Sequence, residues 1–506
     1  MPRQLLSDCL NEIFEHLEDD KITLHSCLLV NRLFCEIAIK ILWRNIWNFK
    51  YSIIYKPYYR THVPSAIINT LIACLPNESK NLLNDNGIFL INPSIIQKPP
   101  LFNYPSFCKV LSIHGIDQMI HYILENNHLL ITTKSLKFNK YLLSQEILKM
   151  FMNQISSLKS LNYYSGYSKK VQNIMFIHLP ESKFCLSNLF ELNCSSDIYS
   201  EFFYQISQIC QDIKSLNIKF ENFISDGLID LISLQNNLKS LTLRYYDNKN
   251  DLSNNNIIYS TLSKFSLILT KLRIEAYYLP LSFISNFLNL QEIILSLESE
   301  DSFDDFNHLQ FINFKNLKIL KFLFKISRIN LLIKFLEING KNLLEFCIDY
   351  DHDYSLNLAI AKFCPNLKIL STIFMNNELE TLKLILNNCK YLEKIKVQNG
   401  IEDLDNKEFF ETLAIYSPKN FFKLEIDYCS FGSLKLLCEK LDEFFINWKN
   451  RNPLKLISLI IVTDYRENID LEVNENMDII KKYMNLGIIK KFRTRKYDDE
   501  ECWNSF

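Results

Sequence analysis

The chain has 506 residues, of which 48% are apolar and 22% are charged, and its formal net charge is −1. This composition is typical of a folded protein and not of a disordered one. The near-zero net charge argues against a global attraction to nucleic acid or to an anionic membrane surface, so neither is an expected partner.

The chain begins with MPRQLLSDCLNEIFEHL, which predicts an amphipathic helix. Ser7 is a candidate N-cap, and DDK at 19–21 ends the helix. The large apolar residues that share one face of this helix are Leu6, Leu10, Ile13, Phe14 and Leu17. Arg3 and Asp8 interrupt any apolar core here, which argues against a cleaved secretory signal. We therefore expect an intracellular protein, cytoplasmic and/or nuclear.

Two further short helices are predicted, over about TLHSCLLV at 23–30 and RLFCEIAIKILW at 32–43. Three helices in about 45 residues bury little surface, and segments this small rarely persist without a partner or a covalent staple. A second polypeptide is therefore predicted to cover the remaining apolar surface.

This stretch resembles an F-box over roughly residues 1–49. The family pattern runs L-P-x-E-x-L-x-x-I-F-x-x-L, then V-C-r-x-W, then L-W, and the matching positions hold Asp8, Leu10, Ile13, Phe14, Leu17, Val30, Phe34 and Trp43. Leu6 stands at the proline of the pattern, and Asn31 stands at its frequent cysteine. The resemblance implies a Skp-type adaptor as partner and, through it, the cullin and RING subunits of an SCF ubiquitin ligase. The implied adaptor-binding residues are Leu10, Ile13, Phe14, Leu17, Leu28, Val30 and Trp43.

Residues 50–105 are predicted to form an irregular connector. Seven of the thirteen prolines lie between Pro57 and Pro105, and proline fixes φ and removes a backbone donor. A helix is predicted near AIINTLIACL at 66–75.

Residues 106–465 are predicted to form a solenoid of about 14 units. Hexads such as LKSLNY at 158, IKSLNI at 213 and LKILST at 367 recur every 21 to 31 residues, with weaker copies at Cys108, Thr133 and Leu456. Apolar residues at the fourth and sixth positions alternate as in a strand, and the segments between hexads switch to helical spacing. The remaining residues, 466–506, are predicted to form a C-terminal cap and a charged tail.

The L-x-x-L-x-L pattern resembles the leucine-rich repeat family. FISDGLIDLI at 223–232 and the cysteines in KFCPNLKIL and NNCKYLEKI resemble its cysteine-containing subtype. The predicted fold class is therefore α/β: a three-helix F-box followed by a leucine-rich-repeat solenoid with a concave parallel sheet and outer helices.

The concave face is the predicted target-binding surface, because strand residues between inward leucines point to the opposite side. Both charge signs occur there, which suits a folded protein or peptide better than a polyanionic nucleic acid. The alternative is that any solenoid face is polar because it is solvated. The candidate residues are Lys219, Thr242, Arg244, Arg273, Glu275, Lys321, Glu345, Asp349, Lys394, Lys396, Glu425 and Asp427.

The sequence contains no recognisable catalytic or metal motif. The eight glycines are at least 28 positions apart, which excludes a dinucleotide fingerprint, a phosphate loop and a nucleophile elbow. The fourteen cysteines include no C-x-x-C pair, so zinc and disulfides are not indicated and reduced, buried thiols are expected. IDYDHDYS at 348–355 lacks the glycine and glutamate of a calcium loop. We expect no enzyme activity, no cofactor and no metal.

The predicted function is that of the substrate-recognition subunit of an SCF-type ubiquitin ligase, with an unidentified target protein. The alternative is a repeat scaffold that no longer enters a ligase. An enzyme with a site hidden in the solenoid is a third, less favoured class.

Overall fold

The computed structural model describes residues 7–47, 62–90, 100–126, 130–132, 135–164, 176–245, 255–276, 280–297, 300–323, 326, 328–348, 353–374, 378–397, 406–428, 435–452, 454–463 and 469–496. The chain forms two compact units. Unit 1 comprises Met1–Lys239 with Asn250–Leu262, and unit 2 comprises Ser240–Lys249 with Ser263–Phe506.

Unit 1 begins with three short helices: α1 Ser7–Glu15, α2 Lys21–Cys27 and α3 Arg32–Leu42. Asp20 caps α2 by accepting a hydrogen bond from the Thr23 N–H, and Asn31 caps α3 by accepting one from the Phe34 N–H. All three predicted helices are therefore present. Asn31, which replaces a frequent cysteine of the F-box pattern, serves as an N-cap here.

The predicted connector contains more regular structure than expected. Helices α4 His62–Cys74 and α5 Asn77–Asp85 are followed by strand β1 Ile88–Leu90, which pairs antiparallel with β3 Leu130–Thr132. Helix α4 confirms the helix predicted near 66–75.

Four parallel strands of unit 1 follow one another in the order β2, β4, β5 and β6. Their bounds are β2 Val110–Ser112, β4 Ser160–Tyr163, β5 Glu191–Ser195 and β6 Ser215–Phe220. The helices of this part of unit 1 are Ile113–Asn126, Leu136–Gln154, Ser182–Leu186, Ser200–Ile209, Asp226–Leu234 and Asn255–Leu262. Short 3-10 turns lie at Tyr104–Phe107 and Phe176–His178.

The described residues of unit 2 form ten parallel strands, each paired with the next along the chain. Their bounds are β7 Ser240–Tyr245, β8 Lys271–Ala276, β9 Glu292–Leu297, β10 Ile319–Phe322, β11 Glu345–Ile348, β12 Ile369–Thr372, β13 Lys394–Val397, β14 Lys423–Tyr428, β15 Ile457–Thr463 and β16 Ile489–Lys496. The helices between them are Ile329–Asn339, Tyr354–Phe363, Leu379–Asn388, Asn406–Tyr416, Lys435–Lys449 and Ile469–Asn485. Short 3-10 segments lie at Ser263–Phe265, Ser282–Asn286, Glu300–His308 and Gly340–Asn342.

This parallel strand-plus-helix repetition confirms the solenoid-like α/β fold predicted from the leucine pattern. One weak copy was placed wrongly: after Thr133, Leu136–Gln154 is a helix of 19 residues capped by Ser135. A strand was also missed, because β16 lies in the segment expected to be a cap and tail and pairs in parallel with β15.

Two buried amide side chains join consecutive repeats. Asn339 accepts a hydrogen bond from the Phe314 N–H at 2.8 Å and donates to the Ile312 carbonyl at 2.9 Å. In unit 1, Gln235 accepts from the Ile213 N–H at 2.9 Å and donates to the Cys210 carbonyl at 3.1 Å. Both amides satisfy backbone groups that the strand ladders leave free.

The cysteines whose side chains the structure describes are free thiols, and those from Cys108 to Cys389 are buried. Burial raises the pKa of the Cys389 thiol to about 12, so this thiol stays protonated at neutral pH. The expectation of buried cysteines is confirmed for the residues from Cys108 to Cys389.

Candidate partner-binding surfaces

Helices α1–α3 enclose a small apolar core of their own. Leu10 and Phe14 are buried in it together with Leu24 of α2 and Ile37 and Ile41 of α3. Phe14 also meets Phe34 edge to face, with ring centroids 5.2 Å apart. Two predicted adaptor-binding residues, Leu10 and Phe14, therefore hold the helices together and are not exposed to a partner.

Among residues 8–47, four large apolar side chains of this helical group remain on the surface. Ile13 of α1 is 48% exposed and Ile22 of α2 is 77% exposed, and Leu29 and Val30 beyond α2 are 90% and 60% exposed. Leu17 and Leu28, also predicted to bind the adaptor, are half-buried against the core. Sequence analysis therefore identified Ile13 and Val30 as exposed candidates but missed Ile22 and Leu29, which lie outside the F-box pattern.

Trp43 lies at a junction inside unit 1. Its ring packs against Tyr104 at a centroid distance of 4.6 Å, and it is 9% exposed. The Arg44 carbonyl accepts hydrogen bonds from the N–H groups of Lys109 and Val110, which open strand β2. The Trp47 indole N–H donates to the Val110 carbonyl at 2.6 Å. The end of α3 is thus fastened to the first repeat strand, and Trp43 serves that packing.

An ion pair adds to this junction from α1. The Arg44 guanidinium donates to both carboxylate oxygens of Glu15 at 2.5 Å. This pairing lowers the pKa of Glu15 and raises that of Arg44. The bidentate geometry sets the direction of α1 relative to the end of α3.

The predicted target-binding residues fall into two groups by burial. The first group is partly exposed and pairs locally: Glu275 accepts from Arg244 at 2.8 Å and from Arg273 at 2.5 Å, and Thr242 on β7 is also partly exposed. In unit 1, Lys219 pairs with Glu221 at 2.6 Å. These side chains are accessible, as the prediction of a binding face requires.

The second group is buried, in contrast to the expected solvated face. Lys321, Glu345, Lys394 and Lys396 are each 4–7% exposed, and Glu425 is fully buried. Neighbouring parallel strands lie about 4.8 Å apart, so long side chains in adjacent rows can cover one another. The alternation of apolar and polar residues along the strands indicated which side chains share a face of the sheet. It did not indicate whether those side chains are exposed to solvent.

Ion pairs join four of these five buried groups. Lys321 Nζ lies 2.7 Å from Glu345 Oε1, and Lys394 Nζ lies 3.4 Å from Glu425 Oε2. Burial lowers the pKa of Lys394 to about 8, against the opposing effect of Glu425. Since these groups are enclosed and paired, they are better suited to stabilising the sheet than to binding a target.

Two predicted residues cannot be placed in either group. Asp349 lies outside the residues that the structure describes. Asp427 lies in strand β14, in register with Val462 of β15.

The structure shows one feature that sequence analysis missed, an open groove of about 450 Å³ in unit 2. We call it the basic groove; its lining consists of Lys315, Asn316, Leu317, Lys318, Lys341, Asn342, Leu344, Asn366, Lys368 and Tyr391. These residues come from successive repeats, and in each repeat they lie in the few positions just before the strand begins. The recurring K-N-L and P-N-L steps at 315–317, 341–343 and 365–367 are the signal that could have revealed it.

Within the described ranges, no group of three or more His, Cys, Asp or Glu side chains could hold a metal ion. No helix in the same ranges is both long enough and apolar enough to cross a membrane.

Comparison with known proteins gives distant likenesses to solved structures alone. No family model and no curated protein matches the sequence. Among solved structures, the chain is similar to the leucine-rich repeat-containing protein LegL7 from Legionella pneumophila, with 17% identity and a TM-score of 0.35. The match covers 55% of this chain and 86% of that chain. A likeness of this size carries no argument about function, so the repeat architecture rests on the strands and helices described above.

Proposed function

We propose that the chain is a non-catalytic substrate receptor of an SCF-type ubiquitin ligase. Helices α1–α3 dock a Skp-type adaptor, which bridges to the cullin and RING subunits, and the repeats bind the target protein. A cytoplasmic or nuclear location accompanies this role.

The observation that carries the proposal is the apolar surface left over on α1–α3. A group this small has closed its own core around Leu24 and still exposes Ile13, Ile22, Leu29 and Val30. Burying one such side chain at an interface contributes roughly 1.5–3 kcal/mol, so a partner that covered all four would gain a large part of its affinity there.

The burial pattern determines which substitutions can test the docking. Phe14 is 3% exposed, so a charge placed there would disrupt the helical group and remove binding for a trivial reason. Ile13 and Val30 are exposed, so Ile13→Asp with Val30→Asp leaves the core intact. Leu101→Asp with Phe223→Asp is a matched control, because these residues of unit 1 are also exposed, at 80% and 59%.

The experiment is co-purification of each full-length variant with the adaptor and cullin from cells. We expect Ile13→Asp with Val30→Asp to abolish recovery of both subunits, and the control pair to leave it unchanged. Retention of the adaptor by the first variant would overturn the docking assignment. Circular dichroism of both variants checks that α1–α3 remain folded.

One observation favours a second function, a repeat scaffold for protein interaction outside any ligase. Because the end of α3 is fastened to β2 through Arg44 and Trp47, α1–α3 also suit the role of an N-terminal cap on the repeats. If the chain is such a scaffold, co-purification with the folded wild-type chain would recover its target protein but neither the adaptor nor the cullin.

A further inference from the structure

We propose that the basic groove of unit 2 binds an acidic segment of a partner protein. The inference rests on the proposed role of the repeats in target binding and specifies the chemistry of the target. The proposed binding site is formed by the residues that precede the strands, and it differs from the concave face predicted from the sequence.

The charge of the groove is strongly one-sided. Its lining contains four lysines and no carboxylate. Of these, Lys368 pairs with Glu393 at 3.4 Å, outside the lining. In the part of the chain that the structure describes, no acidic side chain pairs with Lys315, Lys318 or Lys341. Because like charges that line one groove repel, a bound anion would relieve a repulsion that the unbound protein carries.

The groove is held by rigid elements. The N–H groups of Lys318, Leu344 and Lys368 each donate at 2.8 Å to the carbonyl of the preceding step, which continues the strand ladder. The Asn366 amide donates to the Lys341 carbonyl at 2.8 Å, and the Asn316 amide donates to the Asn289 side chain at 3.1 Å. The lysine stems therefore start from fixed positions, which lowers the ordering entropy lost on binding.

The chemistry of the lining favours an acidic peptide. Lysine ammonium groups attract carboxylates and phosphates as point charges, and no arginine fork is present to select one of the two. Asn342 offers amide donors, while Leu344 and the half-exposed Tyr391 ring supply apolar surface for a peptide backbone and its side-chain stems. The shared ligand chemistry is an anionic peptide, made so by Asp and Glu or by phosphorylation.

Nucleic acid fits the surroundings less well. The whole chain carries a formal charge of −1, and the acidic side chains of Glu292 and Glu393 flank the same repeats. A long polyanion gains affinity from many phosphate contacts along an extended basic track. Four lysines within one groove of about 450 Å³ suit a short anionic segment instead.

The test is fluorescence anisotropy with the full-length chain and four labelled probes. These are a Glu-Ser repeat peptide, its phosphoserine form, the matching Gln-Ser peptide and an oligouridine of similar length. The groove variant is Lys315→Glu with Lys341→Glu. The control variant is Lys334→Glu with Lys449→Glu, because these lysines are exposed in unit 2, lie outside the groove and change the net charge by the same amount.

We expect an acidic peptide to bind, the Gln-Ser peptide not to bind, and the groove variant to weaken binding at least tenfold at low salt. The control variant should change affinity less than threefold, and the tighter of the two acidic peptides identifies the source of the charge. Equal weakening in both variants, no binding of either acidic peptide, or preferential binding of oligouridine would each overturn the proposal. Because this assay contains no adaptor, its result is independent of the test of ligase docking.

Discussion

Replacement of Asn339 by leucine tests whether buried amides join consecutive repeats. Asn339 is fully buried, and its side chain is the only described partner of the Phe314 N–H and the Ile312 carbonyl. Leucine has a similar volume but no polar atoms, so both backbone groups would lose their hydrogen bonds. Each unsatisfied buried group costs about 1–3 kcal/mol, and the leucine side chain recovers part of that through apolar burial. We expect Asn339→Leu to lower the free energy of unfolding by about 3 kcal/mol.

The control is Asn388→Leu, because Asn388 is exposed and its side chain donates a hydrogen bond of 3.0 Å to the Ala361 carbonyl. That change should cost under about 1 kcal/mol. Denaturant unfolding followed by circular dichroism gives the two stabilities, and hydrogen exchange at the Phe314 amide gives the local effect. Equal losses in the two variants, or unchanged protection of Phe314, would refute the reasoning.

Three further predictions concern charge, packing and backbone. The pKa of Lys394 is about 8, against 10.5 for an ordinary lysine, so the unfolded chain binds more protons between these values and stability rises with pH there. Relative to Lys394→Met, the wild-type chain should therefore gain about 2 kcal/mol of unfolding free energy between about pH 7 and 9.5, measured by denaturant titration at each pH; a flat difference would contradict the assignment. Phe14→Ala should destabilise α1–α3 by about 3–5 kcal/mol, and Ile13→Ala by under about 1 kcal/mol. Hydrogen exchange of the amides in α1–α3 measures both losses, and equal loss of protection in the two variants would contradict the burial pattern. A Cβ at Gly227 would clash with the Ser200 carbonyl oxygen, whereas Gly487, at φ +67°, has open space around it. Thermal unfolding should therefore show a much larger loss for Gly227→Ala than the roughly 1 kcal/mol expected for Gly487→Ala, and the reverse order would show that the close contact yields easily.

Periodicity predicted the repeats because burial at each strand follows the alternation of leucines. Strands β6 and β7 alternate buried and half-buried residues as the hexads at 213 and 238 require. The weak copy at Thr133 has the same alternation, but Ser135 caps the helix Leu136–Gln154 there. The N-cap and the long helical segment therefore determine the structure of this stretch, and the alternation does not. Strand β16 was missed because five of its eight residues are basic, which resembles a solvated tail until β15 provides a partner.

The binding surfaces were harder to predict because accessibility is a tertiary property. Alternation placed Lys321 and Glu425 on the correct side of their strands, but only the stacked neighbours show that both are buried. The lysines of the basic groove lie up to 53 positions apart in sequence, from Lys315 to Lys368, and stacking of the repeats brings them together. The F-box pattern likewise mixed core residues such as Phe14 with surface residues such as Val30.

The attachment of Arg44 and Trp47 to strand β2 affects how the receptor hypothesis can be dissected. Strand β2 is the terminal strand of its row, with β4 on one side. Deleting the first 47 residues would remove the Arg44 carbonyl, which accepts from the N–H groups of Lys109 and Val110. It would also remove the Trp47 indole, which donates to the Val110 carbonyl. An uncovered strand of this kind invites pairing between molecules and aggregation. A truncated chain would therefore lose adaptor docking and colloidal stability together, and single-residue changes at the surface are the cleaner way to separate the two.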